Sequence, residues 1–495
     1  MNEYLMKFDD YLNAILVKDL RQAVRGKFIW SVLILYLAII VLILFFSLLD
    51  ADSSGNIDGE FISLAMLGFM FFVCGLLIPI QIGKKTGDEI NDATHELLFT
   101  TTMKPSSIVS GKILSGVVTI VMMYSTLAPF LMLTLFMGGV DMKNLILGLI
   151  YSFIVSNLCV LFQVHVGLSY RNLLKSAPGF GNKAGAIVFQ IIAWFWLAGI
   201  GAELLNGRLF RHNNTSETWL VIFYFLALVI CISLTLYVLT VSRLEPESSN
   251  RSYLFKSVAT VLWIIGSFLS TFSENAVQAW SFIVFIALIV LSFILLLDPE
   301  TYSPRVIKEI PDSPIVRFFV FPFYTGMANS LCWIVIFAIL NYIYGLVVAS
   351  VIGHSYWDFT SSLTAMASVL AYAIAYFMLA NSIRKLFFSR EPKGVVVGIL
   401  VFIILVAVIL PLFMSQMVPY EFRKVVVLIS PFAAFFGSRS EMVGPVVCSL
   451  IFLVITLAFN SLSMISQINS YFSKSLDSDN DYRNKYNVYK DFDDN

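Results

Sequence analysis

The chain has 495 residues, is 58% apolar and only 13% charged, and has a mean hydropathy of +0.84. Soluble domains sit near half apolar and a quarter charged, and a larger core does not absorb the excess because cores saturate and chains then divide; an ordinary soluble protein is excluded and lipid is the solvent that remains. Lys plus Arg and Asp plus Glu balance at 32 each, so overall charge selects neither an acidic nor a basic partner, and no nucleic-acid partner is expected.

The first predicted element is Tyr4–Lys27. Leu5, Phe8, Leu12 and Ile15 share one face, and Lys7, Asp10, Lys18, Arg21 and Arg25 favour the rest. That is the pattern of a helix lying on a membrane with its bases near anionic head groups, or of a solvated helix that leads into a span. A helical span needs roughly 20 apolar residues, and twelve stretches qualify. Six lie in the first half: Phe28–Leu49, Phe61–Ile82, Ile113–Met137, Leu145–Leu168, Ala184–Leu205 and Trp219–Val241. Six lie in the second: Ser257–Ser273, Ala279–Leu297, Ala328–Gly353, Phe359–Ser382, Val395–Met414 and Val443–Ile465. Their continuous apolarity predicts helices, since strands of a membrane barrel alternate. The run at Phe28 is too long and starts too late for a cleavable signal peptide.

Basic residues orient the spans, because cytoplasmic loops are enriched in Lys and Arg. With the N-terminus inside, 26 of the 32 fall on the cytoplasmic side and six outside: Lys143, Arg208, Arg211, Arg423, Lys424 and Arg439. Both termini are then cytoplasmic. The stretch VVVLISPFAAFFGS (Val425–Ser438) is too short to cross with Pro431 inside it; it reads either as an outer half-helix or as a buried surface loop. The tail Asp477–Asn495, DSDNDYRNKYNVYKDFDDN, is polar and acid-rich and is expected to be disordered.

The usual chemistry-bearing constellations do not assemble. Cys74, Cys159, Cys231, Cys332 and Cys448 all lie in predicted spans, away from one another and from any His at ligand spacing, and read as small buried hydrophobes. His95, His165, His212 and His354 stand apart from second ligands and nucleophiles. No catalytic residue, metal site or cofactor site is expected. A phosphate-cradling GxxxxGK[ST] is missing: Gly111-Lys112 has Ser106 five residues before the glycine and Ile113 after the lysine. No Asp, Glu, Lys or Arg occupies the middle of a span, which argues against proton-coupled transport. Asn157, Gln163, Gln190, Asn381 and Asn460 read as helix bridges.

The loop between spans two and three is different. Asp88, Asp92 and Glu96 recur every four residues as an acidic stripe beside Ile90, Ala93 and Leu97. Pro105 disfavours helix at Lys104 and suits the first turn of a new one, and Ser110, Gly111, Ser115 and Gly116 offer a surface for close helix approach. The expectation is helix, corner, helix. Its exposed faces fit a docked partner or simply cap the chain's own helices.

The run HELLFTTTMKPSSIVSGK (His95–Lys112) resembles the signature of ABC-2-type permeases, the membrane subunits of ATP-binding-cassette transporters. The matching positions are Glu96, Leu97, Leu98, Thr100 or Thr101, Pro105, Ile108, Gly111 and Lys112, with Lys104 beside them; Thr102 stands where many members have a further Pro. Gly138-Gly139-Val140 is similar to a branch associated with multicopper-enzyme maturation, and Asn13–Lys27 resembles the family's interfacial helix. The likeness implies that the loop holds a coupling helix docking on a separate ATPase, which binds the ATP. The residues named above would be the docking residues. It also implies a bacterial cytoplasmic (inner) membrane and, as direction, export.

The expected organisation is therefore all-α and polytopic. An interfacial helix occupies 1–27, a six-span permease unit 28–241, a cytoplasmic linker 242–256, a divergent second six-span unit 257–467 and a disordered tail 468–495. The second loop, Asp298–Met327, is also long and cytoplasmic but lacks the signature. One chain forming the whole pathway and two chains assembling both fit this pattern. A secondary transporter or lipid-modifying membrane enzyme, and a non-transporting scaffold, are the alternatives, for which the loop is merely structural.

Overall fold

The computed structural model describes residues 13–54, 59–91, 104–137, 142–174, 215–245, 249–272, 274–296, 298, 301–352, 356–388, 396, 398–400, 402–407 and 443–473. Among them every regular element is helical. Ten helices are long and apolar enough to cross a membrane, by length and composition, and fit a multi-pass membrane protein. Each of the ten coincides with an expected span. The expected span Ala184–Leu205, the stretch Val425–Ser438 and residues 474–495 of the tail lie outside the described residues, while 468–473, expected as the start of the disordered tail, continue the last helix; of Val395–Met414 the described part is helical at 396, 398–400 and 402–407.

The chain divides into two compact units, Met1–Leu244 and Glu245–Asn495. In the first, α1 (Ala14–Arg25) is capped by Asn13, whose Oδ1 accepts from the Ile15 N–H at 3.0 Å. Extended backbone at Gly26 ends α1 and opens α2 (Lys27–Ser54). Span two is composite. It runs as α3 (Gly59–Phe72), a buried π-helical turn Val73–Leu77 in which the Ile78 N–H reaches back to Val73 O, and α4 (Ile78–Asn91). After it come α5 (Pro105–Met137), α6 (Met142–Leu174) and α7 (Thr215–Leu244). Helices α5 and α6 have 33 residues each, about 50 Å of rise against a hydrocarbon core of about 30 Å. The apolar stretches stop at polar residues, but the backbone hydrogen bonds continue beyond them.

This unit's core runs through all the spanning helices: Tyr36 and Ile40 of α2, Met66 and Met70 of α3, Val109, Ile120 and Met123 of α5, and Val160 and Val164 of α6. Helices α4 and α6 approach each other at backbone distance. A Cβ built on Gly83 would stand 2.8 Å from Gln163 O, and one on Gly167 would stand 2.5 Å from Gly83 O, so the two backbones touch. With Gly87 also facing Gly167, Gly83 and Gly87 form a small-xxx-small face of the kind that lets spans meet at backbone distance.

In the second unit α8 (Arg251–Ser270) and α9 (Glu274–Leu295) form a hairpin, with Gly266 against the Trp280 ring. Two short helices follow, α10 (Pro304–Glu309) and α11 (Pro314–Val320), each with Pro at its first position. After a 3-10 turn at Phe321–Phe323 come α12 (Met327–Ile352), α13 (Tyr356–Phe387) and α14 (Val443–Ser473). Two of the expected bridging asparagines join α13 to α14. Asn381 donates to Asn460 Oδ1 at 3.2 Å, and Asn460 donates to Met378 O at 2.9 Å and Ser382 Oγ at 2.8 Å. Asn157 instead donates to Phe153 O in its own helix, and Gln163 is buried under Gly83.

Candidate functional site

The signature residues fall into two groups. Glu96, Leu97, Leu98, Thr100 and Thr101 lie outside the described residues, as does Gly138-Gly139-Val140. Lys104 is exposed just before α5, and Pro105 is its first residue, as its fixed φ and missing N–H favour. Ile108, Gly111 and Lys112 are buried. They face this chain's own helices: in the fold they form the mount of the loop rather than its outer surface.

Gly111 is where α1 crosses α5. A Cβ there would stand 2.9 Å from Asn13 Nδ2 and 3.0 Å from Ile15 Cβ. Asn13 has two functions at this crossing. Its Oδ1 caps α1, and its Nδ2 donates to Ser107 O at 2.5 Å. Ile15 and Ile108 belong to the same buried cluster. Five residues on, Gly116 meets Val160 of α6 and Ile82 of α4. The small residues at the start of span three therefore serve close approach, as their type suggests.

Lys112, 4% exposed, is the centre of an ion network. Its Nζ lies 2.6 Å from Glu89 Oε2 and 3.7 Å from Asp19 Oδ2. Asp19 is itself 3.6 Å from Lys85 Nζ, and Glu89 Oε1 is 3.3 Å from Lys18 Nζ. The charges thus alternate in a chain: Lys85, Asp19, Lys112, Glu89, Lys18. Three elements supply them, α1 (Lys18 and Asp19), the end of α4 (Lys85 and Glu89) and the start of α5 (Lys112). Lys112 is compensated on two sides, which is the condition for holding a buried charge. The network rivets the amphipathic helix to both helices that flank residues 92–103.

Sequence reasoning named Lys112 but missed Asp19, Lys85 and Glu89. The signal for Asp19 was present: it is four residues after Ile15, so it continues the apolar face of α1, and an unpaired acid is rarely buried. Asp88, placed on the acidic stripe, is exposed at the end of α4.

The second unit has its own buried lysine. Lys256 of α8 is fully buried. Its Nζ donates to Pro322 O at 3.0 Å, Tyr324 O at 2.8 Å and Ser330 Oγ at 3.0 Å, using all three protons. Ser330 and Ser252 both donate to Asp298 Oδ2, at 3.0 and 2.8 Å. Beside them Gly326 adopts φ +142°, a conformation that excludes side chains here because a Cβ would stand 2.4 Å from Gln467 Nε2. Gln467 Oε1 accepts from the Ala328 N–H at 2.9 Å, capping α12 from α14. Burial pushes the Tyr302 phenol well above its ordinary pKa, so it stays a donor, to Asn329 Oδ1. Lys256 looked like an ordinary loop base in the sequence because its partners lie 66 to 74 positions away.

All five cysteines are free thiols, two buried and three half-buried, and His165 Nδ1 lies 3.1 Å from Thr240 Oγ1, joining α6 to α7. Among the described residues no three His, Cys, Asp or Glu side chains come together as a metal site. Comparison with protein-family models, with curated proteins and with solved structures finds no match.

Proposed function

We propose that this chain is the permease subunit of an ABC-2-type ATP-binding-cassette transporter, an exporter driven by a separate ATPase subunit that supplies the ATP site. It crosses a bacterial cytoplasmic membrane twelve times with both termini in the cytoplasm. The observation that carries the reading is the mount. Residues 92–103, the segment bearing Glu96, Leu97, Leu98, Thr100 and Thr101, are flanked by α4 and α5, and both flanks are fixed to α1 by the Lys112 network. Those flanks continue without a break into spans two and three. A force applied to the segment from the cytoplasm then moves helices rather than slackening a linker.

Within this reading the roles divide. Glu96, Leu97, Leu98, Thr100, Thr101, Lys104 and Pro105 make the docking surface, and Ile108, Gly111 and Lys112 hold it in place. The cargo is lipidic or amphipathic, in keeping with aromatic-rich spans.

The test is affinity purification. Glu96→Lys combined with Leu97→Asp should abolish co-purification of the ATPase while membrane insertion is retained. An unchanged pull-down removes docking from this loop, and cargo movement by the purified chain alone replaces the reading with a secondary transporter.

A further inference from the structure

The loop of the second unit carries a short helix that faces outward with apolar side chains. On α11, Ile315 is 70% exposed, Phe318 65% and Phe319 70%, and no residue of the helix is buried. Its one charge is turned away from that face. Arg317 donates to Pro311 O at 3.1 Å, to Asp312 O at 3.2 Å and to Phe472 O at 2.5 Å. We propose that this face of α11 lies in the head-group and acyl-chain boundary of the leaflet on its side of the membrane, so that bilayer lipid, not a partner protein, covers it.

Three observations choose lipid. First, α11 is fastened at the last apolar turn of a span: Arg317 holds Phe472 O of α14, Tyr471 donates to Arg317 O at 3.2 Å, and Phe321 stacks on Phe472 with ring centroids 5.7 Å apart. Second, the outward stripe of α14 is apolar and bare at Phe459 (72% exposed), Leu462 (84%) and Ile465 (53%). Exposed Ser466 and Asn469 then join it before Phe472, the change from apolar to polar expected where a span leaves the hydrocarbon for the head groups, and α11 is fastened at that end. Third, the face offers no charge and no hydrogen-bonding group to a protein, unlike the acid-striped first loop. The exposed charges nearby stand on a separate helix, α10, where Arg305 and Glu309 pair at 3.5 Å and Lys308 is exposed beside them. This is the form of an interfacial segment that is inserted by apolar area rather than by head-group charge.

The proposal rests on the multi-pass reading and not on the identity of the ATPase, so the chain is tested alone in vesicles. Phe318→Trp adds one indole at the face, read as the difference from the parent protein. In vesicles of zwitterionic lipid the added emission should be blue-shifted and mostly lost when the acyl chains carry bromine. It should be insensitive to aqueous iodide and unchanged on adding anionic lipid. Quenching by iodide with none by brominated lipid overturns the proposal. So does a spin label on Phe319→Cys, in a background lacking the five native cysteines, that is reached by a water-soluble nickel chelate. If that cysteine-free background does not fold, the tryptophan measurement decides by itself.

Discussion

Lys112 and Lys256 show how differently two lysines can be buried. Lys112 sits between two carboxylates, so removing it leaves each to a more exposed lysine, Asp19 to Lys85 and Glu89 to Lys18. Lys112→Met should destabilise the protein by about 3–5 kcal/mol, the cost of breaking a buried pair, seen as a lower unfolding temperature in detergent. Adding Asp19→Leu should return part of the loss, since the two residues share one network. Lys256 sits among carbonyl and hydroxyl oxygens, with Asp298 one hydroxyl away. Lys256→Ala leaves a hole of propylammonium size, polar at its far end. It should unfold at lower temperature than the parent and regain stability when propylammonium is supplied, whereas Lys256→Met should lose stability without rescue. The first lysine was visible in the sequence as part of a signature, but its acids were not: Asp19 lies 93 positions away. Spacing reports only neighbours on one helix, and a contact between helices leaves no periodic trace.

At the scale of elements, hydropathy located the spans well and their ends poorly. The expected third span begins at Ile113, yet α5 begins at Pro105. The residues between carry serines, a glycine and a lysine: Ser107 O accepts from Asn13 at the start of α1, Ser110 donates to Ser107 O within α5, and Lys112 is held by α1 and α4, so helix persists where apolarity does not. Similarly, Phe61–Ile82 extends as helix to Asn91. The glycines of α4 were legible only as residues of a loop. Their function, backbone contact with α6, depends on a partner helix supplied by the fold. Gly167→Leu should wedge α6 away from α4 and cost more than about 1–3 kcal/mol, the usual range for overpacking, because the obstacle is main chain and cannot rotate aside. The same substitution at Gly68, where a Cβ meets nothing within 4 Å, should be near neutral in the same unfolding assay.

For the whole molecule, composition alone announced a membrane protein, and the described residues, all-helical in their regular elements with ten membrane-length helices, agree. Orientation is a separate matter that rests on basic residues. A reporter fused after Lys112 should read as cytoplasmic and one after Asp58 as external; the opposite result inverts every loop. Two units with comparable span order but unlike loops follow from what each loop contains: a signature and an ion network in the first, paired prolines and an outward apolar helix in the second. The second loop read only as long and cytoplasmic because a seven-residue helix falls far short of a span, and no hydropathy window that seeks crossings registers a segment lying flat.

The π-helical turn at Val73–Leu77 has an effect well beyond its five residues. One extra residue in a helix turns everything after it by about 100° about the axis. The direction in which Gly83, Lys85, Gly87 and Glu89 point is therefore dialled by that single insertion. Delete one residue at Gly75 and the turn relaxes to ordinary helix: the glycine seam swings off α6, Glu89 swings off Lys112, and the two fastenings of α4 are lost together. The phase of span two, more than its greasiness, is what aligns the loop with the rest of the machine.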